Sequence, residues 1–161
     1  MQPDPKRRHA ARAALLTPAG QLLLMQAEEP LSGRRIWFTP GGGREPGEDD
    51  EACLRRELAE ETGLRDFVLG PPIWVRDVVF TWGGEWLSQR ETIYLIRTDR
   101  FDPDMRRNPA AGEVASFRAF RWWTAAEIAA STEQFVPGRL GEYLRDLVTY
   151  GPPPAPIDVG R

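Results

Sequence analysis

The sequence predicts an α/β (α+β) protein in which a mixed central sheet lies between helices, an α/β/α sandwich. Apolar runs with strand character outnumber helical ones, and the two kinds mix without the strict alternation of a doubly wound parallel sheet. One stretch free of glycine and proline, residues 49–62, reads as a helix between a glycine-rich loop and Gly63. The 161 residues are 41% hydrophobic and 28% charged, which is globular rather than disordered. A chain of this length can bury roughly two-thirds of its extended surface without disulfide or metal staples. One domain spanning 1–161, without internal repeats, is the expected organisation.

Residues 10–16 and 22–26 are apolar runs joined by Thr17-Pro18-Ala19-Gly20-Gln21, which has turn chemistry, so they predict a hairpin after a polar tail. A polar loop over 28–35 leads to a short strand, Ile36-Trp37-Phe38-Thr39, stopped by Pro40. Gly41-Gly42-Gly43 and Pro46-Gly47 then read as an extended loop. Helix formers follow over 49–62, with acids in the first turn and Gly63 as a left-handed stop. Strands are predicted over 73–81 and 86–98, turning at Gly83-Gly84, and again over 116–123 after a loop at 99–112. Thr124 and Glu127 form a capping-box start for a short helix. Leu140, Tyr143, Leu144, Leu147 and Val148 have the spacing of a last amphipathic helix. The proline-rich tail, 151–161, is expected to lie extended over the surface.

Net charge is -3 and the pI near 5.3, so no global field draws the chain to nucleic acid, and DNA binding is not expected. No apolar run approaches the length that spans a bilayer. The first eight residues lack the apolar core of a secretory signal. Cys53 is the one cysteine, which suits a reducing compartment, so a cytoplasmic location is the expectation.

The chemistry concentrates in Arg56-Glu57-Leu58-Ala59-Glu60-Glu61-Thr62-Gly63-Leu64. At about 100° per residue, Glu57, Glu60 and Glu61 share an arc of about 100° over little more than one turn. Like charges at these spacings repel, and Glu60 and Glu61 fall at the helix C-terminus, where the dipole disfavours anions. Two readings fit the residues: a solvated acidic face, or a place for a hard divalent cation with oxygen ligands. The glycines before the helix favour the second, because a backbone without side chains can approach a ligand closely.

Gly42, Glu48 six residues on, and the run 56–64 resemble a complete Nudix box, G-x5-E-x7-R-E-U-x-E-E-x-G-U with U a bulky aliphatic residue, matched at every specified position over residues 42–64. The flanking order of strands and helices is similar to the MutT-like fold. The resemblance implies a hydrolase that cleaves a pyrophosphate linkage in a nucleotide or nucleoside diphosphate derivative with water and Mg²⁺, Mn²⁺ serving as substitute. It implies Glu57, Glu60, Glu61 and the carbonyl of Gly41 as metal ligands. Glu57, Glu60 and Arg56 would be catalytic, Glu60 being favoured as base and Arg56 orienting the glutamates, while Glu48 supports the loop. Family members often recruit a further carboxylate, for which Glu91 and Glu113 are available. Arg35, Trp37, Gly42 and Gly43 are the expected substrate contacts, with Arg34, Phe38, Trp74, Trp82 and Trp86 as further sources of guanidinium or ring. His9 reads as idle and Cys53 as packing.

Val78-Val79-Phe80 stands where the ADP-ribose subgroup carries proline, and Thr81-Trp82 where the diadenosine polyphosphate subgroup carries tyrosine. The coenzyme A signature is missing too, which leaves a (deoxy)nucleoside triphosphate or similar small nucleotide. The alternatives are a non-catalytic nucleotide-binding or regulatory domain and an RNA 5′-end pyrophosphohydrolase. Homodimers are frequent in the family, so self-association is an expectation by resemblance only.

Overall fold

A computed structural model describes residues 3–104 and 116–160. Its elements are strands β1 (Lys6–Leu16), β2 (Leu22–Glu28), β3 (Arg35–Phe38) and β4 (Gly41–Gly43), helix α1 (Asp50–Thr62), strands β5 (Pro72–Trp82), β6 (Glu85–Arg97) and β7 (Phe117–Trp123), helices α2 (Ala125–Ala130) and α3 (Leu140–Tyr150), and strand β8 (Ile157–Asp158). Among the described residues the strands form one mixed sheet in the order β3-β2-β1-β6-β5-β8, with β4 also on β1 and β7 also on β2.

β1 organises the sheet. It runs parallel to β6 in unbroken register from Lys6↔Leu87 to Leu16↔Arg97, while Ala10, Ala11 and Arg12 pair antiparallel with Gly43, Gly42 and Gly41. The pairing of β1 with β2 is confined to Leu16↔Leu22 at the turn, so the expected hairpin exists only at its tip. The polar residues 6–9, expected to be a tail, are strand because β6 pairs with them along their whole length, and the His9 carbonyl accepts the Arg44 N–H on the other edge.

Alternation along β1 divides the interior. Ala11, Ala13 and Leu15 pack with Leu23, Cys53, Leu54 and Leu58, the apolar side of α1. Ala14 and Leu16 pack on the other face with Leu24, Trp37, Trp74, Ile93, Leu95, Trp123 and the α3 residues Leu140, Leu144 and Leu147. Each fully buried leucine contributes roughly 1.5–3 kcal/mol, so both faces anchor their helices. The expected sandwich of helices about a mixed sheet is therefore formed.

The triplet 41–43, expected to be loop, is a strand of three residues. A Cβ on Gly41 would lie 2.2 Å from the Ala11 carbonyl oxygen, and one on Gly42 would lie 2.6 Å from the Glu57 carboxylate. Only glycine lets β4 lie this close to β1 on one side and to α1 on the other. The carboxylate of Asp49 caps α1 by accepting from the Ala52 N–H, and Gly63, at φ 80°, ends it with its N–H on the Ala59 carbonyl. The capping box of Thr124 and Glu127 is present on α2. In the tail, β8 pairs parallel with β5 at Trp74↔Ile157 and Val75↔Asp158, more order than composition alone indicates. Among the described residues no helix is long and apolar enough to cross a membrane.

Candidate active site

Arg56 joins the glycine strand to the acidic helix. Its guanidinium donates to both carboxylate oxygens of Glu48 at 2.8 Å, to the Gly43 carbonyl at 3.1 Å and to Glu57 at 2.9 Å, and lies 3.5 Å from Glu60. This fork fits arginine and no other cation. Hydrogen bonds from Arg56 hold the Glu48 carboxyl at about 2, well below the usual carboxylate range, against the opposing effect of burial. The Cys53 thiol donates to the Gly42 carbonyl at 3.3 Å. Burial pushes that thiol up to about 11, so it packs as the sequence predicts.

The three glutamates differ in environment. Glu57 and Glu61 are 4% and 5% exposed, whereas the Glu60 side chain is 28% exposed. Glu61 accepts the Gly41 N–H at 3.0 Å, and Glu57 Oε2 is buried with no donor reaching it among the described residues. Burial first, and the neighbouring Glu57 charge second, raise the Glu61 carboxyl well above the usual range, despite the Gly41 N–H and the Arg12 charge. Burial and repulsion thus favour the neutral form of the Glu61 carboxyl. A divalent cation fits this arrangement, since it offsets the repulsion between the two carboxylates and satisfies the orphaned oxygen. Among the described residues no three acidic, histidine or cysteine side chains converge on one point, the Glu57 carboxylate being drawn to Arg56 and that of Glu61 to the Gly41 N–H.

A groove of about 740 Å³ is lined by Glu48, Arg56, Glu57 and Glu60 together with Lys6, Arg7, Arg8, His9, Gly43 and Arg44. Cations and carboxylates thus border the same groove. A second hollow of about 390 Å³, bordered by Gln21, Arg100, Phe120, Arg121 and Glu127, shares no residue with it. Arg121 there is paired with Glu127 at 3.2 Å and lies 3.7 Å over the Trp123 ring.

The substrate contacts expected on β3 require correction. Trp37 is 5% exposed and packs edge-on against Trp123 at 5.3 Å, with its indole N–H on Glu133 at 3.0 Å. Its backbone is fixed on both sides by Gln134 and Val136, so it is core. Trp74 is likewise buried, beside Tyr143. Arg35 is exposed and paired with Glu28 at 3.1 Å, and it does not border the groove. Gly42 and Gly43 do lie at the acidic cluster, the first against Glu57 and the second against the Arg8 side chain and the groove. Glu113 lies outside the described residues.

Glu91 lies in a charged row. It accepts from Arg12 Nε at 2.9 Å and from Arg76 at 3.1 Å, and Gln89 also donates to it. Gln89 in turn accepts from Arg8 at 2.6 Å, and Arg76 donates to the Gly160 carbonyl at 2.8 Å. Sequence reading missed Arg12, Arg76, Gln89 and the basic wall formed by residues 6–9. The available signal was period two: Arg12 interrupts an apolar run, and Arg76 and Glu91 fall on the buried phase of their strands.

The NUDIX domain family model matches residues 6–145. The chain is 35% identical over 103 residues to an RNA pyrophosphohydrolase of Bradyrhizobium diazoefficiens, a match covering 58% of this chain and 62% of the relative. It is 32% identical over 127 residues, 71% of each chain, to Nudix hydrolase 25 of Arabidopsis thaliana. In fold it resembles a MutT protein from Methanosarcina mazei Go1, with a TM-score of 0.62 at 17% identity over 89% of this chain and 94% of that one. With the box complete over residues 42–64 and the family match running from β1 into α3, the chain belongs to the NUDIX family.

Proposed function

We propose that the chain, acting as one domain, uses Mg²⁺ to hydrolyse a pyrophosphate linkage in a small nucleotide, a (deoxy)nucleoside triphosphate being the leading class. The observation that carries this reading is the buried, partnerless Glu57 Oε2 beside a Glu61 that burial and repulsion drive towards protonation. Glu57, Glu60, Glu61 and the Gly41 carbonyl would hold the ion, with Mn²⁺ as substitute. A divalent ion there supplies neutralisation of phosphate charge and acidification of a bound water. Glu60, the most exposed of the three and on the groove wall, is placed to take a proton from water. Arg56 orients Glu57 and Glu60, and Glu48 holds Arg56. The glycine strand admits substrate phosphate against the carboxylates, and the cations that line the same groove meet its remaining charge.

A second reading, hydrolysis at an RNA 5′ end, is favoured by Lys6, Arg7, Arg8, His9 and Arg44 lining one groove and by the names of several relatives. The test is a panel of nucleoside triphosphates, ADP-ribose, a dinucleoside tetraphosphate and a 5′-triphosphorylated oligonucleotide, with Mg²⁺ or Mn²⁺, read by product identity. Release of phosphate or pyrophosphate from a triphosphate is the expected result. Turnover confined to the oligonucleotide would transfer the assignment to the second reading. Tight binding without any cleavage would indicate a non-catalytic binding domain.

A further inference from the structure

The Arg12 side chain is 12% exposed, and Glu91 and Arg76, in the same row, are 5% and 10% exposed. Arg12 Nη1 donates to the Thr39 carbonyl at 3.1 Å and to the Gly41 carbonyl at 3.2 Å, while the Pro40 carbonyl between them accepts the Ala13 N–H at 2.8 Å. Three consecutive carbonyls leading into β4 are thus held by β1. Gly41 is clamped at both ends, its N–H on Glu61 and its carbonyl on Arg12. In the row itself Glu91 carries one negative charge against two guanidiniums, which leaves a positive excess. Across Gly41, the Glu57–Glu61 pair has a negative excess, because Arg56 is shared with Glu48. The Glu61 and Glu57 charges act on Arg12 beside that of Glu91, and a guanidinium cannot relieve the imbalance by losing its proton.

We infer that Arg12 is a positioning residue and a built-in counter-cation of the acidic site: it aligns the Gly41 carbonyl while weakening the uptake of divalent metal by the substrate-free protein. Metal is then held firmly only when phosphate charge accompanies it. This rests on the proposed metal role of Glu57, Glu61 and Gly41. It makes a two-signed forecast that a plain structural clamp does not, since losing a clamp would loosen the loop and weaken metal binding.

The test is titration of the full chain with Mn²⁺ alone, following the free-ion electron paramagnetic signal, beside turnover of the substrate found in the panel. Arg12→Met is expected to bind Mn²⁺ about tenfold more tightly or better and to turn over more slowly. Glu91→Gln, which leaves two arginines uncompensated, is expected to bind Mn²⁺ about tenfold more weakly. Arg12→Lys keeps the charge and loses the fork, so its Mn²⁺ affinity stays within about twofold of wild type while turnover falls. An Arg12→Met protein with a native circular dichroism spectrum and unchanged or weaker Mn²⁺ binding overturns the inference. If that variant does not fold, unchanged or tighter binding by Glu91→Gln overturns it equally. Wild-type protein that cleaves nothing while the Mn²⁺ pattern holds removes the proposed function and leaves Arg12 standing. Wild-type turnover without the Mn²⁺ pattern removes the inference alone.

Discussion

The acidic end of α1 and the row Arg12–Glu91–Arg76 are made from the same side-chain types and lie on opposite faces of β1, for Ala11 and Ala13 face α1 while Arg12, between them, points the other way. In the row every charged group has its partner: Glu91 accepts from two arginines and Gln89, and its carboxyl stays below the usual range because the Arg12 and Arg76 charges outweigh burial. At the end of α1 the balance fails by design of the fold. Arg56 serves Glu48, Glu57 and Glu60 together, Glu57 keeps an unbonded oxygen, and Glu61 is driven towards its neutral form. Buried carboxylates supplied with enough guanidinium are structural, and those left short are the ones on which a metal or substrate can act.

Breaking the undersupplied side gives the largest expected effect. Glu61→Gln keeps an acceptor for the Gly41 N–H but removes the ligand charge, so turnover should fall by ~100-fold or more with the fold intact. Steady-state kinetics and circular dichroism on the same preparation check it, and full activity would remove Glu61 from the site. Trp37→Phe tests the correction on β3. It should lower stability by about 1–3 kcal/mol through lost packing against Trp123 and the lost bond to Glu133, and should leave the Michaelis constant within about twofold. A rise in the Michaelis constant well beyond the loss in stability would return Trp37 to the substrate.

The smallest effect sharpens the comparison through pH. Glu61 is raised in the folded state, so native protein binds its proton more tightly than the unfolded chain does. In metal-free wild type that increment of stability is full below the unfolded value of about 4.3 and is lost as pH rises above it. Glu61→Gln lacks this loss. Its melting temperature should match wild type near pH 4.5 and exceed it by a few degrees at pH 8, where added Mn²⁺ should reverse the order by stabilising wild type. A difference independent of pH would mean that Glu61 carries no burial penalty.

Much of the fold and of the site was legible because it depends on neighbours in the chain. Asp49, the acids of the first turn and Gly63 delimit α1, Thr124 and Glu127 start α2, and the three glutamates share a helix face by spacing alone. What period-two reading left out depends on partners far along the chain. Residues 6–9 became strand because β6 lies beside them, and Gly41–Gly43 became strand because β1 and Glu57 close in from both sides. Trp37 and Phe38 are equally aromatic in sequence, and only the packing of Trp123 and the chain at 134–136 decides that Trp37 is core.

Local sequence determined which carboxylates would stand together, since helical geometry needs only residues three and four apart. Tertiary structure decided how many cations each carboxylate would find. Glu91 lies 79 residues from Arg12 and 15 from Arg76, and the three meet only in the register of β1, β6 and β5. Charge compensation falls off steeply with distance through space and is indifferent to distance along the chain, so it became readable only once the strands were aligned.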